Sequence, residues 1–345
     1  MMNEQRKNEW LASRKQLREN RNAKDLFDGL RSGSRTALSA AITLLESSLH
    51  DERAIAAEII AKCLPFAGKS LRIGITGVPG VGKSSFIERF GMQLVGEGKR
   101  LAVLAIDPSS ERTGGSILGD KTRMQELSQQ EAVFIRPSAA GSTLGGVARK
   151  TRETIILCEA AGYDIVLVET VGVGQSEIMV HSMVDFFLLL LLAGAGDELQ
   201  GIKRGIMEMA DGLAVTKADG ENEQRARIAQ RELKNAIHLF PPTTSGWIPE
   251  VHTCSSLTGT RIDEVWEMIC RFEQHNRLKG TFEAKRHEQD RNWMHETLRE
   301  LLLEGLYANP SIHNKVLELE SAVKAGAISA FNAAEQIYTL YQSLK

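Results

Sequence analysis

The amino-acid sequence predicts an α/β fold, a doubly wound and mainly parallel sheet with helices on both faces. Three observations predict it. From about residue 71 onward, apolar runs typical of buried strands alternate with stretches of helical periodicity. A glycine-rich loop joins the first of these strands to a helix. Further polar motifs follow later strands, at the carboxyl ends where open α/β sheets bind their ligands.

Seven segments are candidate strands. They are Leu71–Thr76, Leu101–Ile106, Ala132–Arg136, Ile165–Glu169, Phe186–Ala193, Gly212–Thr216 and Glu250–Ser255. Helical stretches lie between most of them, including Thr143–Ala161 and Asn222–Leu239. The run Phe186–Ala193 (FFLLLLLA) is apolar without alternation, which is typical of a central strand buried on both faces. It is about half as long as the ~18 residues of a membrane-spanning helix, so no membrane association is expected.

The pattern divides the chain into three parts. Residues 1–70 are predicted to form a helical N-terminal extension, and residues 71–275 hold the alternating strands and helices. Residues 276–345 are predicted to form a helical C-terminal region. It carries an apolar stripe made by Leu298, Leu301, Leu302, Leu306 and Tyr307. Such a stripe builds either a core or a homodimer interface, and the pattern leaves both open.

The bulk composition is that of a globular protein. Of 345 residues, 42% are hydrophobic and 25% are charged. The net charge of −2 gives no reason to expect nucleic-acid binding. The 4 cysteines show neither CxxC nor metal-ligand spacing and are typical of reduced core residues. The N-terminus is polar and acid-containing, unlike a signal or transit peptide, so a cytoplasmic protein is expected.

Residues 77–84 (GVPGVGKS) match the phosphate-binding pattern GxxxxGK(S/T), called the P-loop below. The glycines let backbone N–H groups curl around phosphate oxygens, and the helix that follows directs its positive end at them. Lys83 is predicted to reach the β- and γ-phosphates, and the Ser84 hydroxyl to bind Mg²⁺. The predicted nucleotide-binding residues of this segment are Gly77, Val78, Pro79, Gly80, Val81, Gly82, Lys83, Ser84 and Ser85.

Carboxylates follow two further strands. Glu169 ends a buried strand where a P-loop protein needs an acid for Mg²⁺, and Gly172 is predicted to offer its backbone N–H to the γ-phosphate. Asp107 ends the second strand, and Asp120 follows in a glycine-rich segment suited to a switch, although both could be turn-forming acids. The predicted metal ligands are Ser84, Asp107, Asp120 and Glu169, and the predicted catalytic residues are Lys83 and these three acids.

The segment Thr216-Lys217-Ala218-Asp219 resembles the NKxD motif by which GTPases recognise guanine, with Thr in place of Asn. A carboxylate at Asp219 can accept both the N1–H and the exocyclic amine hydrogen of guanine, so the acid selects GTP over ATP. Lys217 is predicted to cover the base plane and to brace the P-loop. Thr216, which stands in place of the usual asparagine, is predicted to weaken one of the contacts that brace this motif. A later loop is expected to touch guanine O6 through backbone amides, at Ser255, Ser256 and Leu257.

The residue that orients the attacking water is not evident. The position after Gly172 is Val173, and Gln175 is the nearest side-chain amide. We therefore expect slow intrinsic hydrolysis that a partner accelerates.

Several long stretches resemble the MeaB/ArgK family, the methylmalonyl-CoA mutase-associated GTPases. They are GITGVPGVGKSS, AIDPSSERTGGSILGDKTRM, FIRPSAAGSTLGGVARKTRE, CEAAGYDIVLVETVGVGQSE and GAGDELQGIKRGIMEMAD. The resemblance covers roughly residues 30–345 and is most specific between 71 and 220, whereas residues 1–29 lie outside it.

This resemblance implies a GTPase chaperone of an adenosylcobalamin-dependent methylmalonyl-CoA mutase, which gates cofactor loading and protects or reactivates the mutase. It implies bound GTP or GDP with Mg²⁺, and a homodimer formed through the C-terminal region. It also implies a switch that transmits the nucleotide state to the mutase, at Asp197, Glu198, Gln200, Lys203 and Arg204.

Three alternatives stay open at this point. A nickel-insertion metallochaperone GTPase would need metal-binding His or Cys groups, which neither terminus shows as a tract. An ATP-dependent metabolic kinase would need a substrate base and would not need Asp219. A scaffold would bind nucleotide without hydrolysing it.

Overall fold

The computed structural model describes residues 22–47, 49–106, 124–137, 144–170, 176–193, 204–241 and 243–344. The described residues up to Arg286 form one compact unit, and those from His287 onward form a second.

The first unit is built on a seven-stranded, all-parallel sheet with the strand order β3-β2-β4-β1-β5-β6-β7. The strands are β1 (Leu71–Gly77), β2 (Leu101–Ile106), β3 (Val133–Pro137), β4 (Ile165–Thr170), β5 (Phe186–Leu192), β6 (Gly212–Thr216) and β7 (Glu250–Thr253). All seven candidate strands are present, and the predicted doubly wound α/β fold is confirmed. The last strand ends two residues before the predicted Ser255, because the chain turns there into a loop closed by the Ser255 N–H and the Thr260 carbonyl.

Helices cover both faces of this sheet. The helices of both units, in chain order, are α1 (Ala23–Arg31), α2 (Arg35–Glu46), α3 (His50–Cys63), α4 (Lys83–Gly96), α5 (Gln125–Ser128), α6 (Leu144–Ala160), α7 (Ser176–His181), α8 (Arg204–Met209), α9 (Glu223–Ile237), α10 (Ile262–Lys279), α11 (Thr281–Tyr307), α12 (Pro310–Lys324) and α13 (Ala330–Ser343). Short 3₁₀ turns occupy Leu64–Phe66 and Gly220–Asn222.

The central strand β5 shows why the sheet is buried on both sides. Phe186, Leu188 and Leu190 point into a core shared with α4 and α10, whereas Leu189 and Leu191 point into a core shared with α8 and α9. Because successive side chains of a strand alternate between faces, a strand covered on both sides needs an unbroken apolar sequence. The five leucines of the run meet that requirement.

The N-terminal helices α1–α3 pack on one another and on α6. Side-chain caps define where the first two begin, since the Asn22 carboxamide accepts the Asp25 N–H at 2.7 Å and the Ser34 hydroxyl accepts the Ala37 N–H at 3.2 Å. These helices belong to the same compact unit as the sheet.

The strand register brings the motif-bearing ends together. Gly77 at the end of β1 pairs with Leu190 of β5, and Thr216 at the end of β6 pairs with Leu192 of the same strand. On the other side of β1, Glu169 of β4 pairs with Ile75. The P-loop, the strand-end acid and the TKAD segment therefore lie along one edge of the sheet.

A buried ion pair lies at the opposite edge, beside the amino ends of β1 and β5. The Arg286 guanidinium donates to both carboxylate oxygens of Asp185, at 2.7 and 2.6 Å, and to the carbonyl oxygens of Gly68 and Ser70. The two side chains are only 7% and 2% exposed. Asp185 also accepts the Arg72 N–H at 2.8 Å. The second turn of α11 is thus attached to the base of the sheet by a fully bonded charge pair.

The second unit contains the rest of α11 with α12 and α13. The predicted apolar stripe lies on α11 and does not form a core. Its residues Leu298, Leu301, Leu302 and Tyr307 are 51 to 54% exposed, and Leu306 is half-buried. The stripe is thus exposed on this unit, and the homodimer interface stays a prediction. Among the described residues, no helix combines the length and the apolar character that crossing a membrane requires.

Replacing Arg286 by Met is expected to lower the free energy of unfolding by about 3–5 kcal/mol, because the buried Asp185 carboxylate loses its counter-charge. The measurement is denaturant unfolding followed by circular dichroism. The matched control is Arg291→Met, which removes an exposed pair with Glu288 (64% and 52% exposed) and should cost less than about 1 kcal/mol. Equal losses in the two variants would contradict the role given to the buried pair.

Candidate nucleotide-binding site

The P-loop makes a tight turn between β1 and α4. A Cβ atom at Gly77 would lie 2.5 Å from the Leu190 carbonyl oxygen, so only glycine permits this approach of β1 to β5. Val81 is fully buried and anchors the loop from below, whereas Pro79 and Gly80 are exposed. The loop thus presents backbone atoms at the surface, in front of the first turn of α4.

Lys83, the first residue of α4, is 9% exposed. Its ammonium donates to the carbonyl oxygen of Gly77 at 2.8 Å and to that of Val78 at 3.3 Å. Burial lowers the pKa of this ammonium from its ordinary value, and the carboxylates of Glu169 and Glu177 oppose the shift. An anion placed at the loop would supply the counter-charge that Lys83 lacks in close contact.

The hydroxyl of Ser84 lies opposite the strand-end acid. Its Oγ donates to Glu169 Oε1 at 3.3 Å, and Glu169 is 8% exposed. Behind them, the hydroxyls of Thr76 and Thr170 are hydrogen-bonded at 2.8 Å, joining the ends of β1 and β4. Two hard oxygen donors therefore converge beside the P-loop.

The end of β6 is hydrogen-bonded to the P-loop by two consecutive residues. Thr216 Oγ1 donates to the carbonyl oxygen of Val81 at 2.8 Å and to that of Leu191 at 3.1 Å. Lys217 Nζ donates to the carbonyl oxygen of Gly80 at 2.9 Å. The threonine that replaces the asparagine of the usual motif is therefore hydrogen-bonded to the P-loop, and the expected weakening of this contact relative to asparagine stays a prediction.

Asp219 is held in place by the loop that follows β7. Ser255 is fully buried, and its hydroxyl donates to Asp219 Oδ2. The backbones of the two segments are joined as well, because the Ala218 N–H donates to the Cys254 carbonyl at 3.0 Å. Asn222 donates to the Lys217 carbonyl at 2.7 Å and so pins a residue whose backbone is left-handed, with φ 56°.

These elements surround a cleft of about 710 Å³. Its walls come from the P-loop and α4, from the start of α5, from the end of β6 and from the loop after β7. The lining residues are Val81, Gly82, Ser85, Glu88, Arg89, Met92, Gln125, Glu126, Thr216, Lys217, Asp219, Ser256 and Leu257. A volume of this size suits a ligand of the size of a nucleotide.

Several lining residues were not picked out by the sequence reasoning. Glu88, Arg89 and Met92 follow Ser85 at helical spacing, so extending the P-loop helix by two turns would have placed them on the cleft wall. Glu88 also accepts the Glu126 N–H at 2.8 Å and thereby ties α5 to α4. No sequence motif marks Glu177, a carboxylate that is 2% exposed and acts on Lys83.

Other predicted site residues lie outside the described residues. These are Asp107, Asp120, Gly172, Gln175, Asp197, Glu198, Gln200 and Lys203. Arg204 is the first residue of α8, and its side chain is also outside the described part.

A family model matches most of the chain. Residues 38–311 match the model of the methylmalonyl-CoA mutase-associated GTPase MeaB. The match spans the whole sheet with its P-loop and base motif.

Curated relatives are similar over nearly the whole chain. A probable GTPase of Mycobacterium tuberculosis is 50% identical over 317 residues, which cover 91% of this chain and 94% of the relative. GTPase ArgK of Escherichia coli is 44% identical and is covered to 95%, with 91% of this chain aligned. The mouse protein named methylmalonic aciduria type A homolog, mitochondrial, is 45% identical, with 92% of this chain and 79% of that protein covered.

Among solved structures, one described as a LAO/AO transport system kinase superposes with a TM-score of 0.73 at 37% identity. The superposition covers 93% of this chain and 97% of that one.

Thr216→Val is expected to weaken GDP binding and to lower the free energy of unfolding by about 1–3 kcal/mol, because the Val81 carbonyl loses its buried donor while the side-chain shape is kept. Isothermal titration calorimetry and denaturant unfolding measure the two effects. In the control, Thr339→Val removes a hydroxyl bonded only within α13, to Glu335 O at 2.9 Å, and should leave GDP affinity unchanged. If Thr216→Val bound GDP as tightly as the unaltered protein, the proposed coupling between β6 and the P-loop would be wrong.

Proposed function

The chain belongs to the family of methylmalonyl-CoA mutase-associated GTPases, and on that basis we propose that it is a chaperone of an adenosylcobalamin-dependent methylmalonyl-CoA mutase. It is a GTPase, as its relatives are named. One observation carries the proposal: a P-loop and a carboxylate suited to guanine line the same cleft, in a chain whose family is defined by association with this mutase.

The triphosphate binds at the P-loop. Backbone N–H groups between Gly77 and Ser85 surround its oxygens at the amino end of α4, where the helix dipole favours negative charge. Lys83 exchanges its carbonyl contacts for the β- and γ-phosphates. This exchange is favourable because a phosphate is a stronger partner for a buried ammonium than a neutral carbonyl.

The guanine base binds at the other end of the cleft. Asp219 accepts hydrogen bonds from N1–H and the exocyclic amine through its two oxygens. Ser255 donates to Oδ2, which keeps a second lone pair for guanine, and this bond fixes the orientation of the carboxylate. Lys217 covers the base with its stem while its ammonium stays on Gly80, and the loop at Ser256 and Leu257 faces O6.

Mg²⁺ fits the donors beside the P-loop. Ser84 and Glu169 supply oxygens only, and no group of three or more His, Cys, Asp or Glu side chains in the described part of the chain could hold a metal by itself. Mg²⁺ prefers such a site, with one or two protein oxygens, water and substrate phosphates. Bound there, the ion would neutralise charge on the β- and γ-phosphates. Asp107 and Asp120 are proposed as the remaining acids of this site.

Hydrolysis serves as a timing step. Water attacks the γ-phosphorus, the bond from phosphorus to the β,γ-bridging oxygen breaks, and GDP and phosphate leave. Lys83 stabilises the charge that develops on the transferred group. We expect slow turnover by the protein alone and faster turnover with its partner. Gly172 would sense the γ-phosphate, and Asp197, Glu198, Gln200, Lys203 and Arg204 would pass the nucleotide state to the mutase, gating cofactor loading and protecting or reactivating the enzyme.

The half-exposed leucines of α11 support a homodimer formed by the C-terminal helices, because a second copy would remove this apolar stripe from water. The relevant compartment is proposed to be the cytoplasm.

A second candidate is an ATP-dependent kinase, since the similar solved structure carries the name of a transport system kinase. Asp219 decides against it on chemical grounds, because a carboxylate faces two donors on guanine and none arranged in this way on adenine. Nickel insertion finds no support from the described residues, among which no group of three or more His, Cys, Asp or Glu side chains could hold a metal ion.

Asp219→Asn is expected to move the preference from guanine toward xanthine nucleotides. Asparagine offers a donor where the carboxylate accepted, and xanthine carries a carbonyl in place of the exocyclic amine. Competition titrations with GDP and XDP measure the change, and a loss of roughly tenfold or more in GDP affinity is expected, about 1.4 kcal/mol. Unchanged GDP affinity would refute the base assignment.

The chaperone role is tested with a purified methylmalonyl-CoA mutase. We expect the mutase to raise the steady-state rate of GTP hydrolysis by roughly tenfold or more, about 1.4 kcal/mol of barrier. Pull-down of the mutase should differ between GDP and a non-hydrolysable GTP analogue. Lys83→Ala serves as the catalytically inactive control. This role would be excluded if the mutase left the rate of GTP hydrolysis unchanged and the amount of mutase pulled down were the same with GDP and with the GTP analogue.

A further inference from the structure

Arg89 is a second cation on the wall of the cleft, besides Lys217. It lies on α4, one helical turn beyond Ser85, and its side chain is exposed. In the part of the chain that the structure describes, its guanidinium makes no ion pair, although Glu88 and Glu126 line the same cleft. None of the roles proposed above uses this residue.

The guanidinium of Arg89 packs against a glycine in the loop after β7. A Cβ atom at Gly259 would lie 2.3 Å from Arg89 Nη2 and 2.6 Å from Nε, so the guanidinium fills the space that a side chain would take. Gly259 is left-handed, with φ +77°, and its N–H donates to the Ser255 carbonyl at 2.9 Å. Arg89 therefore packs against the same loop that holds Asp219 through Ser255.

This position is next to the base and away from the phosphates. Arg89 is six residues beyond Lys83, so it lies about 9 Å further along α4 at 1.5 Å per residue. The P-loop occupies the amino end of that helix, whereas the loop containing Gly259 borders the guanine end of the cleft. The edge of the base is directed at Asp219, which leaves the flat faces for residues on the cleft walls.

We propose that Arg89 is a guanine-contacting residue whose planar guanidinium stacks on one face of the base. Guanidinium groups stack on aromatic faces by cation–π attraction and by planar contact, and both are stronger when the pair is partly removed from water. Arg89 thereby contributes to guanine nucleotide affinity without touching the reacting phosphates, and a side chain at position 259 would compete with the guanidinium for the same space.

The inference depends on the guanine site proposed above, and its test uses three nucleotides. Arg89→Ala should lower the affinities for GDP, GTP and 2′-deoxy-GDP by the same factor, about 3- to 30-fold. Calorimetry gives the affinities, and Arg225→Ala, an exposed arginine on α9, is the matched control with no expected change.

Gly259→Ala provides a second, independent perturbation. The new methyl group displaces the guanidinium, so the affinity for GDP should fall by a factor similar to that expected for Arg89→Ala. In the Arg89→Ala background the same change should add little, since no guanidinium remains to be displaced. The control is Gly246→Ala, which carries the same left-handed backbone cost (φ +74°) but places its methyl group in open space.

The outcomes separate the possibilities. A loss that grows from GDP to GTP would place Arg89 on the phosphates, a loss absent for 2′-deoxy-GDP would place it on the ribose, and no loss would remove it from the site. Each of these overturns the stacking role. If Asp219→Asn still shifts preference toward XDP while Arg89→Ala is silent, the role of Arg89 fails and the guanine site stands. If neither variant has an effect, the guanine site itself is wrong.

Discussion

The site depends on the hydrogen bonds that tie the end of β6 to the P-loop. Thr216 and Lys217 are consecutive, and they bond to Val81 and Gly80, two consecutive carbonyls of the loop. The tie exists because both segments extend from strands that flank β5 in register. It sets the distance between the place where phosphates bind and the place where a base binds. The two halves of the nucleotide site are thus parts of one rigid arrangement.

The charges of the molecule follow from the same arrangement. At the motif edge of the sheet, the buried Lys83 lies near two carboxylates, Glu169 and Glu177, and bonds to carbonyl oxygens alone. Such an edge is incomplete without an anion for Lys83 and a cation for the acids, which a magnesium-bound triphosphate supplies together. At the opposite edge, Arg286 and Asp185 satisfy each other fully. One edge is therefore built for stability, and the other is left open for a ligand.

Most of the fold was predictable, because parallel strands covered on both faces are rich in apolar residues, and the inner strands of the sheet appear as such runs in the sequence. The edge strand β7 (EVHT) is half polar. The P-loop and TKAD residues were also predictable, since their chemistry is local. Contacts between distant segments were not. The pairing of Ser255 with Asp219 spans 36 residues, and the packing of Arg89 on Gly259 needs the folded loop after β7. Nor could periodicity tell whether the α11 stripe was core or surface. An apolar helix face indicates an apolar partner, but it does not show whether that partner is the same chain or another one.

The central claim is that base recognition and phosphate binding are energetically coupled through Thr216. A double-mutant cycle measures this coupling directly, with GDP affinity determined by calorimetry for the unaltered protein, Thr216→Val, Asp219→Asn and the double variant. Coupling predicts that the losses of GDP binding free energy in the two single variants are non-additive by at least about 0.5 kcal/mol. In Thr216→Val the P-loop is no longer bonded to β6, so recognition of the base at Asp219 can no longer strengthen phosphate binding. Losses that add within about 0.3 kcal/mol would show two independent subsites and would contradict this account.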